Sequence, residues 1–200
     1  MEAIIHGIIL AFGLILPLGV QNVFVFSQGA TQPYLYKALP AAITAAISDT
    51  LLILLAVLGL SLLVLQFAWL RFVLMMIGII FLLYMGGMIW KSEGTTTNEN
   101  KALSFRQQIL FALSVSLLNP HAILDTVGVI GTSAITYSGL DQVLFTVACI
   151  SVSWAWFLGL IVAGNQIKKL NSIQFMHIFH KGSALFIWGT AVYLLFGLIE

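Results

Sequence analysis

Charged side chains are scarce in this 200-residue chain. They make up 8% of the residues, whereas 60% are hydrophobic; in an ordinary soluble domain about a quarter of the residues are charged. A folded chain of this length still leaves roughly a third of its surface accessible, so one core cannot bury so much apolar area. The composition therefore excludes a soluble globular domain and predicts a protein that folds in lipid.

The sequence also lacks a large excess of basic residues, a second cysteine and the common catalytic motifs. Eight Lys and Arg residues stand against seven Asp and Glu, for a net charge of +1, which excludes nucleic-acid binding by counterion release. The single Cys149 excludes an intrachain disulfide, a CxxC redox site and a cysteine zinc cluster. The sequence has no GxSxG, HExxH or GxxxxGK[ST] motif. We therefore expect no enzyme, no metal site and no ATP-driven pump in this chain.

Long apolar stretches are what the sequence does contain. Six of them reach the ~20 residues that cross a bilayer core as a helix, and the amino terminus lacks the cationic cluster of a cleaved signal. We expect an all-α integral membrane protein with six transmembrane helices. The predicted helices are Ile4–Phe26, Ala38–Leu60, Phe67–Trp90, Ile109–Thr132, Val143–Gly164 and Gly182–Ile199.

Positive charge is unevenly distributed among the predicted loops. Seven of the eight Lys and Arg residues lie in three of these loops, and Arg71 is the exception. By the positive-inside rule these three loops are cytoplasmic, and both termini lie outside. Residues 91–107 are polar without periodicity and predict a cytoplasmic linker. Residues 165–181 are either an interfacial amphipathic helix or a solvated basic loop. The cationic residues of the three loops are Lys37; Lys91, Lys101 and Arg106; and Lys168, Lys169 and Lys181.

The two halves of the sequence align at an offset of 103 residues. This offset places Pro17 over Pro120 and Asn22 over Asp125. It also places Ser48, Asp49 and Thr50 over Ser151, Val152 and Ser153, and Gly86 over Gly189. Three helices per half would make the second half enter the membrane from the opposite side, as in many secondary transporters. We therefore predict a 3+3 inverted repeat, with residues 1–90 and 108–200 as the halves and 91–107 between them.

Asp49 lies in the middle of the second predicted helix, where a charge costs roughly 2.5–3.5 kcal/mol on insertion scales. Ala38, Ala42 and Ala45 share its helical face, and small residues indicate close helix packing. We expect the carboxylate to face protein or a wet cavity rather than lipid. The alternative is a protonated Asp49 that bonds a carbonyl or a serine such as Ser48.

The fourth predicted helix contains a second carboxylate, Asp125, shortly after Asn119, Pro120 and His121. Pro120 frees a backbone carbonyl one turn earlier, which a ligand can bind. Asp125 either contacts solute or neutralises a group near the outer interface. His121 is either a hydrogen-bonded packing residue or a proton relay or metal ligand.

The first helix carries a matching break at Pro17 and Gly19, followed by Gln21 and Asn22. We expect Gly19 to let another backbone approach closely. The two amides either contact solute or form interhelical hydrogen bonds. Five tryptophans are expected at interfaces or in the bundle, although Trp154 and Trp156 follow Ser151 and Ser153 closely enough to line a cavity.

These motifs resemble the LysE-type amino acid exporters, and among them the arginine and lysine exporters. The resemblance covers all six predicted helices and rests on GLILPLGVQNVFVFSQG, on SDT and on LLNPHAILDTVGVIG. It implies gradient-driven amino acid export across the bacterial inner membrane with no cofactor. Its motifs match Gln21, Asn22, Asp49, Asn119, Pro120 and Asp125. The run Leu16-Pro17-Leu18-Gly19 departs from the small-Pro-Gly-Pro or Ile-Gly-Pro run that is more usual in the family.

Two intramembrane carboxylates without a buried Lys or Arg favour a cationic solute. The first hypothesis is therefore an exporter of basic amino acids, with that solute and the lipid bilayer as its partners and with a homo-oligomer left open. A second is an exporter of another small cationic or zwitterionic solute, such as a neutral amino acid or a divalent metal. A third is a membrane scaffold without transport activity, which would have no need of Asp49.

Overall fold

The computed structural model describes residues 1–17, 19–59, 68–90, 102–117, 123, 126–169 and, with gaps at 183, 186, 190 and 194, residues 181–196. Within these ranges the chain is helical and contains no β-strand, which confirms the all-α prediction. The helices are α1 (Glu2–Ile15), α2 (Val20–Thr31), α3 (Leu35–Val57), α4 (Ala68–Trp90), α5 (Phe105–Leu117) and α6 (Gly139–Lys169). A π-helical turn, Thr126–Gly131, continues into the helical turn Thr132–Ala134.

The described helices differ from the predicted spans at several ends. Helix α3 begins three residues earlier than predicted, and α6 extends past both predicted ends. Helix α5 begins at Phe105, so the last three residues of the predicted linker 91–107 are helical; its residues 91–101 lie outside the described part. Residues 170–180, predicted as either an interfacial helix or a basic loop, lie outside it too.

Two of the described helices, α3 and α6, are long and apolar enough to cross a membrane. A third span results if α1 and α2, whose axes are bent by 80°, form one broken helix. The bend lies at Pro17, where α1 has ended and Gly19 adopts extended backbone angles before α2 begins. This confirms the predicted break in the first helix. No described atom lies within 4 Å of a Cβ built at Gly19, so a close backbone approach to this glycine stays a prediction.

Helix α6 is the element around which the others pack. Its start lies beside α1, where the His6 ring contacts Tyr137 and Phe145. Its end lies beside the end of α2, where the Lys168 ammonium binds the backbone carbonyl of Gln32 at 2.8 Å. The broken pair α1–α2 therefore follows α6 in the same chain direction, with α1 beside its start and the end of α2 beside its end.

Helix α3 packs through a face of small residues, which confirms the predicted alanine stripe. Ala38, Ala42 and Ala45 are buried in one cluster with Phe157 and Ile161 of α6. Farther along α3, Ile53 is buried in another cluster with Cys149 and Val152, which come earlier in α6. The two helices are therefore antiparallel, as expected for the second and fifth spans of a six-span chain.

Three segments predicted to lie on the cytoplasmic side meet at one end of the bundle. The Gln32 amide donates to the carbonyl of Leu103 at 2.9 Å, and Lys168 binds the carbonyl of Gln32. The Gln108 amide donates to the carbonyl of Lys37 at 3.0 Å. The turn after α2, the start of α5 and the end of α6 are thus on the same side, which agrees with the charge distribution among the loops.

Candidate functional site

The Asp49 carboxylate lies where α3, α2 and α6 meet. Its Oδ1 accepts a hydrogen bond from the Gln21 amide at 3.1 Å, and its Oδ2 accepts one from the Ser153 hydroxyl at 2.9 Å. Both donors are buried. The prediction that Asp49 faces protein rather than lipid is confirmed, and the serine that binds it is Ser153 rather than Ser48.

Both partners of Asp49 are neutral. Among the described residues, no Lys, Arg or His forms an ion pair with this carboxylate. Hydrogen bonds lower the cost of a buried charge, but they leave the negative charge itself uncompensated. The Asp49 carboxylate can therefore bind a cation or accept a proton.

Helix α6 supplies two further hydrogen-bond donors next to Ser153, the indole nitrogens of Trp154 and Trp156. The indole of Trp154 donates to the Thr50 hydroxyl at 3.1 Å, and that hydroxyl donates to the carbonyl of Ala46 at 2.7 Å. The indole of Trp156 donates to the amide oxygen of Asn22 at 3.2 Å. These bonds connect α6 to both α3 and α2 around Asp49.

The Asn22 side chain stabilises the helix break. Its amide nitrogen donates to the carbonyls of Ile15 at 2.7 Å and Pro17 at 2.9 Å, which have lost their helical partners because α1 ends here. With its oxygen bound by Trp156, Asn22 has the hydrogen bonds expected of the packing alternative. Contact between Asn22 and solute remains a prediction.

Ser153 is a site residue that the sequence reasoning did not single out, because the repeat alignment treated Ser151 and Ser153 as a pair. The structure separates them: Ser151 is exposed and bonds back to the carbonyl of Val147, whereas Ser153 is buried. The signal was present in the spacing, since Ser153 precedes the buried Phe157 and Ile161 by one and two turns.

The predicted site residues of the fourth helix, Asn119, Pro120 and Asp125, lie outside the described residues, as does His121. The segment directly after Asp125, Thr126–Gly131, is π-helical. Such irregular turns are frequent at functional sites. The roles of the four residues outside the described part stay predictions.

An apolar helical bundle that contains a carboxylate beside a broken helix is typical of membrane transport proteins. The family comparison supplies the particular class. The chain belongs to the LysE type translocator family, whose sequence model matches residues 12–197. It is therefore a membrane protein of an amino acid exporter family, and this family is one of translocators, not a class of enzymes.

Two relatives illustrate the range of the similarity. The chain is 53% identical over 195 residues to YisU of Bacillus subtilis (strain 168), a candidate amino-acid transporter, covering 96% of this chain and 89% of that protein. It is 32% identical over 195 residues to the arginine exporter protein ArgO of Klebsiella pneumoniae (strain 342). This match covers 94% of this chain and 91% of that protein. No solved structure matches the chain.

Proposed function

We propose that this protein exports basic amino acids, such as arginine or lysine, across the bacterial inner membrane, driven by an ion gradient or the membrane potential. The observation that carries the proposal is the Asp49 carboxylate, bound by Gln21 and Ser153 with no cationic partner among the described residues. A solute with an extra ammonium or guanidinium group supplies the missing positive charge. Similarity to the arginine exporter ArgO supports this choice of solute.

A neutral amino acid is the second candidate solute. The 53% identity to YisU, a candidate amino-acid transporter whose name specifies no particular amino acid, is compatible with a neutral as well as a basic one. A neutral zwitterion would still bring one ammonium group to Asp49. Because a neutral zwitterion has no second positive group, it would leave a second carboxylate, such as the one predicted to contact solute at Asp125, without a cationic partner.

The test of the proposed function is efflux from vesicles that contain only the purified protein. Vesicles are loaded with labelled arginine, lysine or threonine, or with a divalent metal, and a potential or proton gradient is imposed. Efflux of arginine or lysine well above that of the other solutes is the expected result. Faster efflux of threonine would instead identify a neutral amino acid exporter, and no efflux of any solute would contradict a transport function.

We further propose that the six helices form the 3+3 inverted repeat predicted above, with residues 1–90 and 108–200 as halves. In a two-fold arrangement, a residue near the axis contacts its own counterpart. Asp49 bonds Ser153, which is 104 positions later, and the Leu83 carbonyl accepts a bond from the Trp188 indole, 105 positions later. Two different helix pairs thus meet at nearly the offset of 103 expected from the alignment, which supports the repeat.

The orientation with cytoplasmic loops and external termini leads to a labelling prediction. A cysteine introduced at Asn98, in a chain with Cys149 replaced by alanine, should resist a membrane-impermeant thiol reagent in intact cells. It should react after the cells are opened, because residues 91–107 are expected in the cytoplasm. Labelling of intact cells would reverse the orientation.

We also propose that the solute contacts Gln21, Asn22, Asn119 and Asp125, beside the break residues Pro17, Gly19 and Pro120. In the repeat, Asp125 corresponds to the neutral Asn22 and lies toward the exterior. Asp125→Asn should therefore lower arginine efflux about fivefold and leave neutral amino acid efflux unchanged, since it removes one charge interaction of about 1 kcal/mol. Equal loss for both solutes in the same vesicle assay would indicate that Asp125 organises the broken helix instead.

A further inference from the structure

Two buried serine hydroxyls, Ser48 beside Asp49 on α3 and Ser116 on α5, have no hydrogen-bond partner among the described residues. Ser48 is 2% exposed and Ser116 is 0% exposed, and neither Oγ atom has a partner within the described part of the chain. A buried hydroxyl without a hydrogen bond is destabilising, so such a group in a folded protein requires an explanation.

Other hydroxyls on these helices show how the cost is usually avoided. A helical serine or threonine can donate to the carbonyl three or four residues earlier. Thr50 does so to Ala46 at 2.7 Å, Ser114 to Leu110 at 2.8 Å, and Ser151 to Val147 at 2.7 Å. The hydroxyls of Ser48 and Ser116 do not make this bond and remain available as donors to another group.

The two serines lie on neighbouring parallel helices. Gln108 in the first turn of α5 bonds the carbonyl of Lys37 in the first turn of α3, and Ala112 is buried in the cluster of α3 alanines. An α-helix rises 1.5 Å per residue along its axis. On α5, Ser116 therefore lies about 12 Å beyond Gln108, and on α3, Ser48 lies about 16 Å beyond Lys37. The two hydroxyls are therefore separated by roughly one helical turn in height, and Asp49 directly follows Ser48.

We propose that the Ser48 and Ser116 hydroxyls donate hydrogen bonds to the α-carboxylate of the transported amino acid, whose positive group is held by Asp49. An amino acid brought to Asp49 carries its own carboxylate, which needs donors once it leaves water. Buried donors without a described partner, Ser48 beside Asp49 and Ser116 roughly one helical turn lower, meet that need. This inference depends on the proposed amino acid export, and it adds the residues that recognise the end common to all amino acids.

The test compares arginine with agmatine, which is arginine without its α-carboxylate. Vesicles with the wild-type protein, Ser48→Ala, Ser116→Ala or Ser114→Ala are measured for the KM of arginine efflux and for its inhibition by co-loaded agmatine. Ser114→Ala is the matched control, because it lies one helical half-turn from Ser116 and its hydroxyl is already bonded to Leu110. Thermal unfolding of the ligand-free proteins reports stability separately.

We expect Ser48→Ala and Ser116→Ala each to raise the arginine KM about tenfold, the usual effect of losing a hydrogen bond to a charged group. Inhibition by agmatine should change less than about twofold, and Ser114→Ala should change neither value. The unfolding midpoint should stay the same or rise, because alanine removes an unpaired buried hydroxyl.

Three results would overturn the inference. An arginine KM within about twofold of wild type would make the hydroxyls unpaired packing groups. Equal weakening of arginine and agmatine would show that the serines do not recognise the carboxylate. Export of no amino acid by the wild type would remove both this inference and the proposed function. If the wild type exports a different amino acid, only the choice of substrate fails, and the comparison is made with that amino acid and its decarboxylated amine.

Discussion

Replacing Asp49 by asparagine should abolish gradient-driven export of basic amino acids while the protein still inserts and folds. Asparagine keeps the shape of the side chain and one carbonyl oxygen, and the Ser153 hydroxyl, which now donates to Asp49, can rotate to accept from the new amide. The negative charge that attracts the solute cation is lost. Losing a charge pair out of contact with water costs several kcal/mol, so efflux in loaded vesicles should fall by at least about a hundredfold.

Asp141→Asn is the matched control for this experiment. Asp141 lies in the first turn of α6 and is exposed, so the same chemical change there should leave efflux unaltered. Export at the normal rate by Asp49→Asn would show that Asp49 serves only to hold α2, α3 and α6 together. Exchange without a gradient that survives while uphill export fails would assign Asp49 to the coupling proton rather than to the solute.

Gly164→Ala should be strongly destabilising, because the added methyl group would clash with the backbone of another helix. Helices α2 and α6 cross in direct backbone contact: a Cβ built at Gly164 would lie 2.3 Å from the carbonyl oxygen of Phe26 and 2.9 Å from the amide nitrogen of Ala30. Neither backbone atom can move without moving α2. Overpacking of this kind costs about 1–3 kcal/mol or more, so the unfolding midpoint in detergent should fall by several degrees and export should fall with it.

Gly159→Ala gives the control, because it lies on the same helix with no described atom within 4 Å of the added methyl group. Alanine is favoured over glycine within a helix by about 1 kcal/mol, so this variant should be as stable as wild type or slightly more stable. Gly29→Ala, which would place a Cβ 2.4 Å from the carbonyl oxygen of Ile161, should reproduce the loss seen with Gly164→Ala. Equal stability of all three variants would contradict the close crossing of α2 and α6.

Much of the architecture follows from local sequence properties. Apolar length predicted membrane helices, and the structure has two that can cross a bilayer, or three if α1 and α2 form one span. A proline without a backbone N–H predicted the break at Pro17, and the spacing of small residues predicted the buried face of α3. The cost of an intramembrane charge predicted that Asp49 faces protein. Each of these inferences needs only the residue and its own helix, which is why the sequence was sufficient.

The site itself depends on contacts between distant segments. The crossing of α2, α3 and α6 decides that Ser153 rather than Ser151 binds Asp49 and that Asn22 caps the carbonyls at the end of α1. It also leaves Ser48 without a hydrogen-bond partner among the described residues. Helical periodicity identifies the face a residue occupies, but not the height or rotation of the helix opposite. The backbone contact at Gly164 likewise depends on the crossing point, because a Cβ built at Gly159, elsewhere in α6, meets no described atom within 4 Å. The sequence by itself therefore determined the membrane class, the break and the position of the buried charge, whereas only the packing of the helices decided which side chains bind that charge.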